Sequence, residues 1–178
     1  MLALPDGLLH IAFLDVGQGD AILITTPDGR QILIDGGSTP TDLTWRLGQE
    51  MPFWDHSLSL VVNTHPDADH LAGLAPLLDR YQVEQVLVTD VGGDSALYRE
   101  WQSQLAEAQL TPTIGQAGMQ LVLSQGVTAT LLTPGPVTAR EDAPNNHSIV
   151  MRLQMGRISF LLTGDIEEAV EGIFCDSD

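Results

Sequence analysis

At 178 residues and 43% hydrophobic content, the chain can bury one substantial core and is too apolar for a disordered segment. Its formal net charge is −17 and all seven basic residues are Arg, a balance that opposes nucleic-acid binding on first reading because phosphate contacts ordinarily come from clustered Lys and Arg. Apolar runs such as 22–24 and 60–62 fall far short of the roughly 18 residues a membrane-spanning helix needs, residues 1–9 show no secretory signal, and the single Cys175 excludes an internal disulfide and a cysteine-only metal site.

Residues 8–14 read as a buried strand. Asp15-Val16-Gly17-Gln18-Gly19-Asp20 follows, with glycines that permit a tight turn and close backbone approach. Residues 21–26 and 31–34 are short strand-forming runs around Pro27-Asp28-Gly29-Arg30, a hairpin signature. Asp35-Gly36-Gly37 ends the second of these strands. Residues 41–51 fit a helix that Pro52 stops, and 57–63 return as a strand. Next comes the polar cluster His65-Pro66-Asp67-Ala68-Asp69-His70, followed by Leu71, Leu74, Leu77 and Leu78 at helical spacing, which places the cluster between a strand and a helix.

Further along, 83–88 reads as a strand, 95–109 as a helix, and 119–123 with 127–132 as a hairpin around Gln125-Gly126. A Pro-containing connection spans 134–144. A third hairpin joins 148–155 to 158–162 around Gly156, Thr163-Gly164-Asp165 closes that strand, and 166–174 is expected to be helical. Strands and helices interleave without a repeat or linker, so 1–178 is expected to form a single α/β domain.

His65, Asp67, Asp69 and His70 put two imidazoles and two carboxylates within six positions, ligand types suited to Zn, Mn or Fe. Pro66 favours an extended His65, so His65 and Asp67 can share one side while Asp69 and His70 point elsewhere. Such a loop can hold two ions, and Asp165, at the end of an apolar strand, is placed to bridge them. Structural alternatives stand beside each of these readings. Asp69 could N-cap the following helix, His65-Pro66-Asp67 could be a plain turn, and Asp165 with Glu168 fits a capping-box start. Asp35 could equally be a turn residue, and Gly17-Gln18-Gly19 is too short to identify a phosphate loop.

Taken together, residues 13–20, Leu33-Ile34-Asp35-Gly36-Gly37, the segment 64–73, Asn145-Asn146-His147-Ser148 and Leu161-Leu162-Thr163-Gly164-Asp165 resemble, in order and spacing, successive motifs of the metallo-β-lactamase domain of ComEC-type DNA-internalisation (competence) proteins. The resemblance implies a metallo-β-lactamase-like αββα sandwich. It also implies two divalent ions, Mn or Zn, with His65 and Asp67 on one, Asp69 and His70 on the other, and Asp165 between them. Where the superfamily usually has a histidine this chain has Asp67, a hard oxygen donor that shifts preference toward Mn or Mg. The ligand of the next motif is left open between Asn145 and His147. In the family a further histidine motif follows Thr-Gly-Asp by about one helix and one strand, and the chain stops at Asp178. Either the chain is a C-terminally incomplete part of a larger protein, the preferred reading, or the domain has lost a ligand and binds metal poorly; in both cases weak occupancy of at least the second ion is expected.

The function so implied is phosphodiester hydrolysis of DNA during uptake, with Asp69 as the catalytic group that orients water. Its partners would be DNA and the transmembrane remainder of a bacterial inner-membrane protein, on a side of the membrane the sequence leaves open. Two ions would still leave the chain strongly negative, so the charge balance remains at odds with a polyanionic substrate. Two rivals follow: a superfamily hydrolase of small esters or thioesters, against which the segment 15–20 argues, and a catalytically silent domain that steers DNA or contacts a channel.

Overall fold

The computed structural model describes residues 5–134 and 147–166. The connection expected over 134–144, the helix expected over 166–174, Asn145, Glu168 and Cys175 therefore lie essentially or wholly outside the described residues. Twelve strands are described in chain order: β1 (His10–Phe13), β2 (Ile22–Thr25), β3 (Gln31–Ile34), β4 (Ser57–Leu58), β5 (Leu60–Asn63), β6 (Gln82–Val83), β7 (Val86–Val88), β8 (Thr113–Ile114), β9 (Gln120–Ser124), β10 (Val127–Leu131), β11 (Met151–Met155) and β12 (Ile158–Leu162). Helices α1 (Pro40–Glu50), α2 (Ala68–Leu71) and α3 (Ala96–Glu107) and a 3₁₀ turn (Ala75–Leu77) complete the described elements. Among them no helix is long and apolar enough to cross a membrane.

The strands form a six-stranded sheet of order β1-β2-β3-β5-β7-β8 and a four-stranded sheet of order β12-β11-β10-β9. The first is antiparallel from β1 to β3 and parallel from β3 to β8. Period-two alternation sorts its side chains between two cores. Leu23, Leu33, Val61 and Val86 face the helices and pack with Leu43, Leu47, Leu74 and Trp101. Ile24, Ile32, Ile34, Val62 and Leu87 face the second sheet and meet Val127, Ala129, Leu131 and Leu153. Burial on both faces explains why β2, β3 and β5 read as unbroken apolar runs. This helix–sheet–sheet stack supplies three layers of the expected αββα sandwich over the described residues.

Local chemistry sets the helix limits. Pro40 starts α1, where its missing N–H costs nothing, and Leu43 and Leu47 form its buried stripe. Ser95 caps α3 by accepting from Tyr98 N at 3.0 Å.

Two expected strands are each split. Within 57–63, β4 leaves to pair with β6 in a separate two-stranded sheet, while β5 joins the central one; Ser59 N between them donates to Gln31 O at 2.8 Å. The run 83–88 divides for the same reason between β6 and β7. The helical spacing after His70 also breaks early. Gly73 lies so close to the Asp35-Gly36-Gly37 turn that a Cβ there would come 1.9 Å from Gly36 O, and α2 yields to the 3₁₀ turn. Gly36 N donates to His70 O at 2.8 Å and Gly73 N to Gly37 O at 3.1 Å. That strapping holds the polar cluster against the end of β3.

Candidate metal centre

The parallel strands β3 and β5 end side by side, with Asp35 N donating to Val62 O at 2.8 Å. Beyond their ends lie Asp35 and Thr64, and Asp35 is almost wholly buried with φ of 56°. A left-handed conformation is uncommon outside glycine, though aspartate tolerates it better than most. Its carboxylate is fully engaged. One oxygen accepts from Thr64 N at 2.8 Å; the other accepts from Thr64 Oγ1 at 2.6 Å and lies 2.8 Å from His70 Nδ1.

These contacts determine both imidazole tautomers. Thr64 gives its hydroxyl proton to Asp35, so at 3.0 Å from His65 Nδ1 its oxygen accepts, and His65 carries a proton on Nδ1. His70 donates from Nδ1 to Asp35. Each ring thus turns Nε2 away from the strand ends, with centroids 4.0 Å apart, and both Nε2 atoms are buried without a hydrogen-bond partner. Asp67 Oδ2 lies 3.8 Å from His65 Nε2, and Asp165 Oδ2 lies 3.2 Å from His70 Nε2. Asp69, His70 and Asp165 bring ligand atoms within 4.8 Å of one another, as do Asp35, His65 and His70.

Electrostatics follow from this crowding. Burial lowers the His65 pKa, and the adjacent His70 lowers it further. Burial works the same way on His70, but the hydrogen bond and charge of Asp35, with Asp165 and Asp69, prevail and push it up to about 9 in the metal-free chain. Burial also raises the Asp20 carboxyl; the charge of His70 opposes this, while Asp165, Asp35 and Asp69 reinforce it, which places Asp20 among the charges of the cluster.

The buried His65 Nε2 makes no hydrogen bond and the buried His70 Nε2 meets only the Asp165 carboxylate, an arrangement that is costly unless something else satisfies the two nitrogens. A transition-metal dication fits: it takes neutral imidazole nitrogen together with carboxylate oxygen, and imidazoles fixed through Nδ1 by a carboxylate or hydroxyl are typical of such sites.

All five residues picked from the sequence, His65, Asp67, Asp69, His70 and Asp165, come to this one edge. His65 lies in the bend between β5 and α2 with its ring fully buried and its Nδ1 against Thr64 Oγ1, so the segment both turns the chain and delivers an imidazole to the cluster. Neither aspartate acts as a side-chain cap: the residue before α2 is Asp67, not Asp69, and its side chain makes no capping bond. His147 is partly exposed and its carbonyl accepts from Thr89 Oγ1 at 2.7 Å. Asp35 is a central support of the cluster and no ordinary turn residue. Thr64 was not among the candidates; its place immediately before His65, at a strand end, was the available signal.

The metallo-β-lactamase superfamily model matches residues 14–177. The chain belongs to that superfamily. Membership supports a metal-dependent hydrolase role and divalent-metal binding, as the sequence resemblance implied. The chain is 32% identical over 169 residues to Recombination protein 2 of Haemophilus influenzae, covering 90% of this chain and 19% of that protein. It is 28% identical over 186 residues to ComE operon protein 3 of Bacillus subtilis, covering 91% and 23%. It therefore spans about a fifth of the length of these relatives, whose names agree with the ComEC-type resemblance. Among solved structures, the metallo-β-lactamase fold protein YhfI from Bacillus subtilis superposes with a TM-score of 0.60 at 18% identity, covering 90% of this chain and 65% of that one.

Proposed function

We propose that this domain is a divalent-metal-dependent phosphodiesterase that cuts DNA, carried by a larger membrane protein of bacterial DNA uptake. The observation that carries this reading is the convergence of two buried Nε2 atoms, that of His65 without a hydrogen bond and that of His70 facing only the Asp165 carboxylate at 3.2 Å, both rings fixed through Nδ1 by Thr64 and Asp35 with Asp67 and Asp69 beside them. The two similar relatives, both several-fold longer than this chain, favour the DNA-uptake setting.

In this reading His65 and His70 offer neutral nitrogen, while Asp67, Asp69 and Asp165 offer hard oxygen and balance the cations' charge. Bound there, Mn or Zn supplies a Lewis acid for a phosphoryl oxygen and makes water acidic enough to attack near neutral pH. Asp69 would orient the attacking water and take its proton, the phosphorus–oxygen bond to the departing nucleoside would break, and the departing oxygen would take a proton from solvent. Asp35 holds His70 in place and leaves the chemistry to the half-buried Asp69 and the exposed Asp67 and Asp165.

Calorimetric titration with Mn or Zn, followed by a DNA-cleavage assay, tests the proposal. Binding of about two ions with cleavage that His70→Ala and Asp165→Ala each abolish is the expected result. Unchanged cleavage in both variants overturns the mechanism. Metal binding with turnover of small esters but not DNA would favour the esterase rival, and no metal binding the silent-domain rival.

A further inference from the structure

Two surface hollows among the described residues differ sharply in charge, which bears on the conflict between a −17 chain and a polyanionic substrate. A cleft of about 460 Å³ at the far end of β1–β3 is lined by Asp6, Asp28, Glu50 and Asp55 beside His10 and Trp54, a wall that repels phosphate. A second groove of about 340 Å³ is lined by Pro40, Thr41, Thr44, Trp45, Pro76 and Arg80, with no carboxylate among them. Asp42 and Asp79 stand outside that lining, and Asp42 is engaged by Thr39 Oγ1.

We infer that this groove, built on Trp45 and Arg80, seats a base and its phosphate from a single nucleic-acid strand bound at the metal centre. The inference rests on the DNA-cutting reading above. Trp45 is 56% exposed and lines the groove together with Arg80. Arg46 lies 4.6 Å over the Trp45 ring, supporting one side of it and leaving the rest to the groove. An open aromatic ring beside a guanidinium is the arrangement on which unpaired bases stack while their phosphates are neutralised.

Position supports the same use. The groove lies between α1 and the 3₁₀ turn, the elements that follow the Asp35 turn and the His70 helix respectively. Trp45 sits five residues into α1, about 8 Å of helix rise from Pro40. Arg46 also ties α1 back to the Asp15–Asp20 loop, its Nε donating to Asp15 O at 2.8 Å and its other nitrogen to Asp15 Oδ2 at 2.7 Å. That loop in turn packs against the cluster, where a Cβ at Gly19 would fall 1.7 Å from Asp69 O, so the Trp45 segment of α1 and the metal centre border the same loop. A paired duplex keeps its bases stacked on each other and unavailable to the ring, so the groove selects single strands.

Fluorescence-anisotropy titration of the full chain with a labelled, hydrolysis-resistant phosphorothioate oligothymidylate, with Mn present so that the metal centre is loaded, tests the inference. Trp45→Ala is expected to weaken binding about tenfold while Trp45→Phe retains most of it. Arg80→Gln should reduce the slope of log K against log salt by about 0.7. Trp54→Ala, in the acidic cleft, should bind as the parent does. The inference is overturned by absence of binding, by unchanged affinity in Trp45→Ala, or by an equal loss in Trp54→Ala. Binding through Trp45 without DNA cleavage in the metal-loaded chain defeats the nuclease reading alone; cleavage with unchanged affinity in Trp45→Ala defeats the groove alone.

Discussion

Two of the histidine–aspartate contacts among the described residues stand at opposite ends of strands β1–β3. His10 Nε2 lies 3.0 Å from an Asp6 oxygen with both side chains about half exposed, whereas His70 Nδ1 lies 2.8 Å from Asp35 with both almost wholly buried. Distance barely separates them; solvent does. At the surface, water and salt offer each partner an equivalent environment, so the contact constrains little. In the interior the alternative is an unpaired buried group, so Asp35 dictates where the His70 ring points and which nitrogen it leaves free.

The largest effect should come from breaking the buried pair. Asp35→Ala leaves His70 Nδ1 and both the amide and the hydroxyl of Thr64 without their acceptor, and should destabilise the fold by about 3–5 kcal/mol in urea unfolding. Asp35→Asn preserves shape but not charge, and should weaken metal binding about 10–100-fold by calorimetry. A urea midpoint unmoved by Asp35→Ala would erase the distinction between the two pairs.

The pH dependence comes next. Since the folded His70 pKa of about 9 exceeds its ordinary 6.5, its stabilising contribution is complete below 6.5 and is lost as pH rises from there through 9. His65 acts in the opposite sense: its pKa is lowered, so stability is lost as pH falls below 6.5 and the unfolded chain takes up the proton first. Urea midpoints in EDTA should therefore decline on both sides, and Asp35→Asn should flatten the alkaline limb. A cation must displace the His70 proton, so metal affinity should climb over that alkaline window. A metal titration flat with pH would contradict the assignment.

Glycines give a third, smaller contrast. Gly19 and Gly126 have φ of 74° and 82°, so alanine at either costs about 1–2 kcal/mol for backbone conformation. Only at Gly19 would the new Cβ also fall 1.7 Å from Asp69 O, whereas at Gly126 it meets open space. Gly19→Ala should thus displace Asp69 and weaken metal binding, and Gly126→Ala should destabilise without touching it. Equal metal affinity in the two variants would show that the 15–20 loop does not support the cluster.

What the sequence made legible follows from how local each signal is. Four candidate groups within positions 65–70 announce themselves, and the hairpin turns at Asp28-Gly29 and Gln125-Gly126 are written in residues that need unusual backbone angles. Asp165 required a long-range guess that the strand-end pattern supported. Asp35 and Thr64 could be seen in the sequence but their use could not, because a buried acceptor and a surface turn aspartate have the same local context until β5 is laid beside β3. The divisions of 57–63 and 83–88 were hidden for the same reason: the pairing of β4 with β6 is non-local, and the residues on either side of each break are equally strand-forming.

The smallest expected effect completes the contrast between the two histidine pairs. Asp6 is held below the usual carboxylate range, first by the Leu8 amide and then by His10, so its contribution is present above its ordinary value of 3.8 and is lost only as pH falls through a still lower one. Near neutrality Asp6→Asn keeps an acceptor for the Leu8 amide and surrenders only a contact that water replaces. Its urea midpoint and metal titration at neutral pH should match the parent, with any difference confined to acid. A loss at neutral pH approaching that of Asp35→Ala would mean that geometry alone, and not burial, gives a histidine–aspartate pair its hold on this fold.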